Sequence, residues 1–314
     1  MDFHEELAHY GPTTDLPRVG LAEARAYCVK LATSHYENFS VLTWLTPRPA
    51  RPHFAAIYAF CRWSDDLGDE VGDRARSRDL LHWWRDELVA MYQGEARHPI
   101  LVALYDTVKT YEIPIDPFLA LISAFLQDQD VLAYSTFDQL VDYCRRSANP
   151  VGHLVLYLSG SHHSKTARLS DLTCTGLQLA NFWQDVARDL DIGRIYLPEE
   201  DRLRFGVDKK RLECKEFTSE YRDLLQYEVR VARALLVEGR ELLNDLPGRY
   251  RQMVDIFNRG GFAILDAIEH ADFDTLSRRP RVGKLQKAAL ILQASLRMPI
   301  TTRRPRAIQT ESAQ

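Results

Sequence analysis

The chain has 314 residues, of which 46% are hydrophobic, and this supplies enough apolar material for one large domain or for two. Its formal net charge is only −4, with positive and negative side chains nearly balanced, so we do not expect a nucleic-acid-binding protein. The five cysteines are widely spaced and form no CxxC pair, which predicts free thiols in a reducing compartment rather than a zinc site or a disulfide framework.

The N-terminal stretch is acidic and lacks a basic region followed by an apolar core, so we predict no secretory signal. Hydrophobic periodicity is helical through nearly all of the chain that follows, and strand-like alternation is scarce. In chain order, the pattern predicts helices over about 21–36, 51–70, 78–92, 100–111 and 118–130. No apolar run reaches the length of about 18 residues that a transmembrane helix needs. We therefore expect a cytoplasmic protein.

Capping residues mark the helices of the second half. Thr136 with Gln139 forms a capping-box pattern, Ser170 is expected to cap the next long helix, and Thr218 is expected to open another that ends near Pro247. The last helices are predicted over about 249–270 and 282–297. With no repeat or low-complexity linker, the simplest prediction is one all-α domain over 1–314, with flexible ends at 1–20 and about 299–314.

Two of these helical stretches carry a pair of aspartates four residues apart. At about 100° per residue, each pair shares a stripe roughly 80° wide with other polar or aromatic residues. On the first stripe lie Phe54, Tyr58, Arg62, Asp65 and Asp69, and on the second lie Gln178, Asn181, Asp185 and Asp189. Two acidic helix faces of this kind predict a shared ligand.

A single acidic pair of this kind is most often a solvated helix face. Here the flanking residues are mostly apolar, which predicts burial, and a buried carboxylate costs several kcal/mol unless it is paired or binds a metal. Oxygen ligands without converging Cys or His side chains suit Mg²⁺, which keeps water ligands and binds through one or two carboxylates plus substrate phosphates. The two pairs together therefore predict a clamp for Mg²⁺ and a diphosphate.

Three segments, YAFCRWSDDLGD (58–69), YCRRSANPVG (143–152) and QLANFWQDVARDLDIGRIYLP (178–198), resemble the squalene/phytoene synthase family. The resemblance extends from about residue 21 to 297. Two further stretches, SHYENFSVLTWLTP (34–47) and RRSANPVGHLVLYL (145–158), make it most like the hydroxysqualene synthase branch of bacterial hopanoid biosynthesis. It implies the isoprenoid synthase fold, a single helical bundle around a deep apolar cavity.

The resemblance also implies roles for individual residues. Mg²⁺ would be held by Asp65, Asp69, Asp185 and Asp189, while Tyr143, Arg62 and Tyr58 would act on the reacting groups. The isoprenyl diphosphate substrate would be bound by Asp66, Gln178, Asn181, Phe39, Phe54, Tyr196, Arg281, His35 and Asn38. Pro150, in the middle of a helical stretch after Tyr143, predicts a kink near the cavity.

Within the family three outcomes compete: presqualene diphosphate or squalene from two farnesyl diphosphates, phytoene from two geranylgeranyl diphosphates, and hydroxysqualene from presqualene diphosphate. Condensing members commonly show a Ser-Lys-Ser-like run where this chain has Tyr36, Glu37 and Asn38. An acidic Glu37 there favours a substrate with one diphosphate, hence hydroxysqualene formation. No G-x-G-x-x-G turn is present, and we expect no nicotinamide cofactor for this reaction.

Two hypotheses outside the family are a helical interaction protein that has lost catalysis and a helical metal phosphohydrolase. Intact aspartate pairs disfavour the first, and the absence of a His/Asp cluster disfavours the second. The C-terminal segment 275–310 contains no acidic residue and nine arginines or lysines, which suits diphosphate binding, peripheral contact with the inner face of an anionic membrane, or an ordinary solvated helix and tail. The oligomeric state is left open.

Overall fold

The computed structural model describes residues 2–35 and 46–283. Within these ranges every element is helical, and the only sheet-like pairing is one isolated parallel bridge between Ala133 and Ile195. The all-α prediction is confirmed for this part of the chain. None of its helices is long and apolar enough to cross a membrane.

The first half of the chain forms a helical layer with its own aromatic core. Its helices are α1 (Phe3–Tyr10), α2 (Leu21–His35), α3 (Arg51–Asp69), α4 (Arg74–Tyr92), α5 (Pro99–Tyr111) and α6 (Asp116–Gln127). A short 3₁₀ turn, Arg48–Ala50, leads into α3. Phe60, Trp63 and Trp84 are all at most 1% exposed and pack against one another, which fixes α3 against α4.

The second half is built around one long helix. Its elements are α7 (Phe137–Arg146), α8 (Asn149–Ser159), α9 (Ser164–Asp191), α10 (Glu199–Arg204), α11 (Lys209–Glu213), α12 (Ser219–Gly239), a 3₁₀ turn (Arg240–Asn244) and α13 (Gly248–His270). Helix α9 packs along α12 and also contacts α7, α8 and α13. The second aspartate pair is on α9 and the first on α3.

Two of the predicted caps are confirmed. The Thr136 hydroxyl accepts the backbone N–H of Gln139 at 3.2 Å, and Thr218 accepts that of Tyr221 at 3.2 Å. The prediction for Ser170 is wrong, because α9 begins six residues earlier and Ser170 is buried inside it. Its hydroxyl oxygen lies beside Gly152, where a Cβ would approach it to 2.2 Å, so this small residue serves helix packing instead of capping.

Three further boundaries differ from prediction. Residues 3–10, for which the sequence pattern predicts no helix, form α1, because Asp2 caps the helix and Phe3 packs edge-on against Trp63. Pro150 produces no kink inside a helix but stands in the first turn of α8, where its missing N–H costs no hydrogen bond. The helix opened by Thr218 ends at Gly239 and continues as the 3₁₀ turn, short of Pro247.

Candidate active site

The acidic face of α3 is held in place by Arg62. Its guanidinium pairs with the buried carboxylate of Asp66 and lies 3.3 Å from Asp65. Asp69, one turn further, is half exposed at the end of the helix. Asp66 thus faces inward and fixes Arg62, while Asp65 and Asp69 face the open side.

The acidic face of α9 lies close to the turn that follows the helix. Arg194 in this turn donates to Asp69 of α3 at 3.1 Å, and its charge also acts on Asp189 of α9. One guanidinium therefore lies within electrostatic range of both aspartate pairs. This is the contact that brings the two predicted faces to one place.

Crowded negative charge raises the pKa values at this place. The pKa of Asp65 is raised mainly by burial and next by the charge of Asp69. The pKa of Asp189 is raised to about 7, mainly by burial and next by the charge of Asp185. Asp128, at the end of α6, is buried and has its pKa raised to about 6, mainly by burial. The described arginines only partly balance these carboxylates.

An aromatic cluster lies next to the carboxylates. Phe182 of α9 stacks on Tyr196 with ring centroids 3.7 Å apart, and Tyr143 of α7 lies 6.2 Å from both rings. The Tyr143 hydroxyl donates to Asp128 at 2.9 Å. Because Tyr143 is 4% exposed and beside that carboxylate, its pKa is well above the usual value, so the hydroxyl keeps its proton.

The segment after α13 covers the α9 face. Arg279 donates to both carboxylate oxygens of Asp185, with Nη2 2.9 Å from Oδ2, and to the Gln184 side-chain oxygen at 3.0 Å. Arg281, which the sequence had suggested as the diphosphate ligand, is exposed and lines an open pocket of about 420 Å³ with Arg278 and Arg279. The arginine that contacts Asp185 is thus Arg279, while the role of Arg281 in binding diphosphate stays a prediction.

The remaining predicted residues fall into two groups. Tyr58, Phe54 and Gln178 are half-buried and Asn181 is exposed, each on its predicted helix. Asn38 and Phe39, with Tyr36 and Glu37, lie outside the described residues, and His35 is described only as the last residue of α2. Their roles stay predictions.

Three residues at this place were missed by the sequence reasoning: Asp128, Arg194 and Arg279. Arg194 lies inside the segment that carries the family resemblance, five residues after Asp189. Because an arginine stays positively charged, its place near an aspartate pair could have indicated a site residue. Asp128 and Arg279 gave no such signal, since each reaches the site through tertiary packing from an element distant in sequence.

The donor set fits Mg²⁺ carried with a diphosphate. Among the residues that the structure describes, no three His, Cys, Asp or Glu side chains converge closely enough to hold a metal unaided. Mg²⁺ does not need such a cage, because it keeps waters and shares substrate phosphates with one or two carboxylates. The pKa values of Asp65 and Asp189 are raised first by burial and next by a neighbouring aspartate, and a bound cation would offset both causes.

The sequence profile of the squalene/phytoene synthase family matches residues 32–286, most of the chain. The chain belongs to the squalene/phytoene synthase family. A solved structure titled squalene synthase HpnC, from Alicyclobacillus acidocaldarius, is 44% identical with a TM-score of 0.77, covering 81% of this chain and 95% of that one. A dehydrosqualene synthase structure is 24% identical with a TM-score of 0.80, over 88% and 96% of the two chains.

Curated relatives in the family carry more than one activity in their names. Phytoene synthase 1 of Zea mays is 28% identical over 298 residues, 92% of this chain and 73% of its own length. Presqualene diphosphate synthase of Rhodopseudomonas palustris is 28% identical over 269 residues, 85% and 95% of the two chains. The protein is thus an isoprenyl diphosphate-utilising synthase of isoprenoid biosynthesis with the isoprenoid synthase fold, in a family that generally depends on a divalent metal.

Proposed function

We propose that this synthase ionises presqualene diphosphate with the help of Mg²⁺ and captures the cation with water, giving hydroxysqualene and diphosphate. The observation that supports this chemistry is the meeting of two carboxylate pairs across Arg194, beside an aromatic cluster that contains Tyr143. A charged leaving group and a carbon cation need these two environments side by side.

The polar half of the site serves the leaving group. Mg²⁺, when bound by the pairs Asp65/Asp69 and Asp185/Asp189, supplies neutralisation of the diphosphate charge that grows as the carbon–oxygen bond breaks. Arg194, already within 3.1 Å of Asp69, is placed to donate to the same phosphate oxygens. Arg62, fixed by Asp66, orients Asp65 from behind.

The aromatic half serves the cation. The ring faces of Tyr143, Phe182 and Tyr196 favour positive charge by roughly 0.5 to 2 kcal/mol each and exclude bulk water. A water oxygen then forms the new carbon–oxygen bond and releases one proton, so the overall reaction adds water and expels diphosphate. The Tyr143 hydroxyl, held by Asp128, is a fixed polar group beside this position.

One feature of the sequence favours the single-diphosphate substrate. Glu37 and Asn38 replace the hydroxyl-rich, basic run of condensing members. The 44% identical HpnC structure is named a squalene synthase, which supports a C30 product and a hopanoid precursor but not the choice between one and two diphosphates in the substrate. The competing proposal is head-to-head condensation to presqualene diphosphate or phytoene, which the names of the 28% identical relatives support.

The deciding experiment separates substrates and products. The purified enzyme with Mg²⁺ is incubated with farnesyl, geranylgeranyl or presqualene diphosphate, each with and without NADPH, and products are identified by mass spectrometry. We expect presqualene diphosphate to yield a hydroxylated C30 alcohol without NADPH, and farnesyl diphosphate alone to react poorly. Efficient phytoene formation, or squalene formation that requires NADPH, would overturn the branch assignment and leave the clamp standing.

We also propose a cytoplasmic location, with peripheral contact to the inner face of the membrane through the basic segment 275–310. Arg278, Arg279 and Arg281 of that segment belong to the described residues, and its other arginines and lysines lie outside them. Sedimentation with vesicles of anionic and of neutral lipid tests the contact, which we expect only with anionic vesicles and low salt.

A further inference from the structure

The segment that follows α13 is anchored on both sides of Arg279. Tyr221 of α12 hydrogen-bonds Thr275 at 2.7 Å, and the Gln184 side-chain amide of α9 donates to the Pro280 carbonyl at 2.8 Å. Thr275, Pro280 and Gln184 are all buried. Arg279 is therefore delivered to α9 by a built arrangement and not by a loose surface contact.

Arg279 uses the oxygens of Asp185 that a metal ion would need. Its guanidinium binds both of them, and a further arginine, Arg188, lies 3.6 Å from Oδ1. The Asp185 side chain is only 22% exposed, so a bidentate guanidinium leaves little of it open to a cation. The hydrogen bond with Asp185 raises the pKa of Arg279, so this competitor keeps its charge.

We infer that Arg279 is an exchangeable counter-ion of the clamp: it occupies Asp185 in the metal-free enzyme, yields that carboxylate to the metal, and then holds the incoming diphosphate. This inference rests on the proposed function, since it needs Asp185 to be a metal ligand. It goes beyond it by naming a residue that couples metal binding to diphosphate binding.

The exchange keeps every charge paired. Once the metal takes Asp185, the freed guanidinium needs an anion, and its planar fork matches phosphate oxygens as well as it matches a carboxylate. The open pocket of about 420 Å³ beside it, lined also by Arg278, Arg281 and His270, gives the side chain room to move. Without diphosphate, the metal has to displace Arg279 while leaving its charge unpaired, which disfavours loading by metal alone.

The test compares Arg279→Gln with Arg278→Gln. Arg278 is one residue away, exposed, and lines the same pocket, so its replacement removes the same charge without the contact to Asp185. Binding is followed by the electron paramagnetic resonance signal of free Mn²⁺, an ion that also prefers oxygen ligands, with and without inorganic diphosphate. Circular dichroism unfolding checks that both variants fold.

We expect the two Mn²⁺ affinities of Arg279→Gln, without and with diphosphate, to change in opposite directions. Arg279→Gln should bind Mn²⁺ alone at least about threefold more tightly, and Mn²⁺ with diphosphate about tenfold more weakly, since charge-assisted hydrogen bonds to the anion are lost. Arg278→Gln should stay within about twofold of wild type in both titrations. The exchange is wrong if Arg279→Gln leaves both affinities unchanged or shifts both in the same direction. It is also wrong if Arg278→Gln shows the same shifts.

Asp185→Asn distinguishes this failure from failure of the proposed function. If that variant binds Mn²⁺ and diphosphate as the wild type does, Asp185 is not a ligand, and the clamp and the exchange both fall. If Asp185→Asn loses binding while Arg279→Gln changes nothing, the clamp stands and only the exchange is wrong.

Discussion

At the scale of single residues, the site is governed by carboxylates held close together in a partly dehydrated place. Asp65 and Asp189 have raised pKa values because burial and a neighbouring aspartate both penalise ionisation. Under the proposed function, a divalent cation would offset this cost. The proposal thereby accounts for two acidic pairs on helices that are otherwise largely apolar.

The first prediction concerns the aspartates proposed to bind Mg²⁺, replaced one at a time. Asp65→Asn and Asp185→Asn should each lower kcat/KM by at least about 100-fold with folding retained, because the amide keeps the shape but loses the charge that binds Mg²⁺. Asp191→Asn, on the exposed end of α9, is the matched control and should stay near wild type. Activity within about tenfold of wild type for both ligand variants at saturating Mg²⁺ would rule out the clamp.

The second prediction concerns the hydroxyl of Tyr143. Tyr143→Phe should lower kcat about 10- to 100-fold while KM changes little, because the lost hydrogen bond to Asp128 is charge-assisted and, under the proposed function, lies beside the carbons that react. Tyr134→Phe tests the specificity, since that hydroxyl is in the same cluster but is bonded to Gln127. Unchanged turnover and products in Tyr143→Phe would remove this residue from the reaction.

Single residues could be placed from the sequence where their arrangement depends on one helix alone. Asp65 and Asp69, or Asp185 and Asp189, are one helical turn apart, so periodicity alone placed each pair on a face. The contact of Arg279 with Asp185 could not be predicted in the same way, because it depends on how the segment after α13 crosses α9. Asp128 likewise becomes visible only when α6 and α7 pack together.

At the scale of elements, the contact between α10 and α12 carries a buried acidic pair. Glu228 of α12 is fully buried and Asp201 of α10 is 6% exposed. Burial, and next the neighbouring Asp201, raise the pKa of Glu228 to about 9. Two neighbouring carboxyls in so buried a place do not both ionise, and Glu228, the more buried of the two, keeps its proton.

The third prediction concerns the pH dependence of stability that this buried proton causes. The folded state keeps it up to about pH 9, whereas the unfolded chain loses it near pH 4.5, so the stabilisation is complete below pH 4.5 and is lost as the pH rises towards 9. The free energy of unfolding should fall by up to about 1.4 kcal/mol per pH unit in this window. Glu228→Gln should remove this slope and be more stable than wild type at pH 8.

Urea unfolding at pH 5, 6.5 and 8 measures this effect, with Asp223→Asn, exposed on the same helix, as the control. Equal pH slopes in wild type and Glu228→Gln would contradict it.

The ends of the helices show which local sequence signals are sufficient to predict where a helix begins. Thr136 and Thr218 mark helix starts correctly because a side chain that accepts from its own third-next N–H is a local event. Ser170 carries the same chemistry but lies inside α9, where neighbouring helices supply the stabilisation that overrides capping preference. The N-terminal helix was missed because its packing partner, Trp63, lies about sixty residues away.

At the scale of the whole molecule, the all-α class was evident from periodicity, whereas the position of the two acidic helices was not. Helix α9 is fixed by close approach to α12 and α13, and small residues allow that approach. A Cβ added to Gly261 of α13 would lie 2.7 Å from Leu177 of α9 and 3.0 Å from Leu236 of α12. Leu177 directly precedes Gln178, so this packing sets where the acidic face lies.

The fourth prediction uses two adjacent glycines of α13. Gly260→Ala meets no atom within 4 Å and should raise stability by about 0.5 to 1 kcal/mol, as expected for an alanine replacing a glycine inside a helix. Gly261→Ala gains the same helix preference but has to push aside the Cδ atoms of Leu177 and Leu236, which pack there in a well-filled interface. Because these atoms are the ends of side chains that can turn, the cost offsets the gain in helix preference without separating the helices. The midpoint of thermal unfolding should therefore rise for Gly260→Ala and should stay unchanged or fall for Gly261→Ala. An equal rise in the two variants would mean that the two leucines give way at no cost, and that this contact does not hold α13 against α9 and α12.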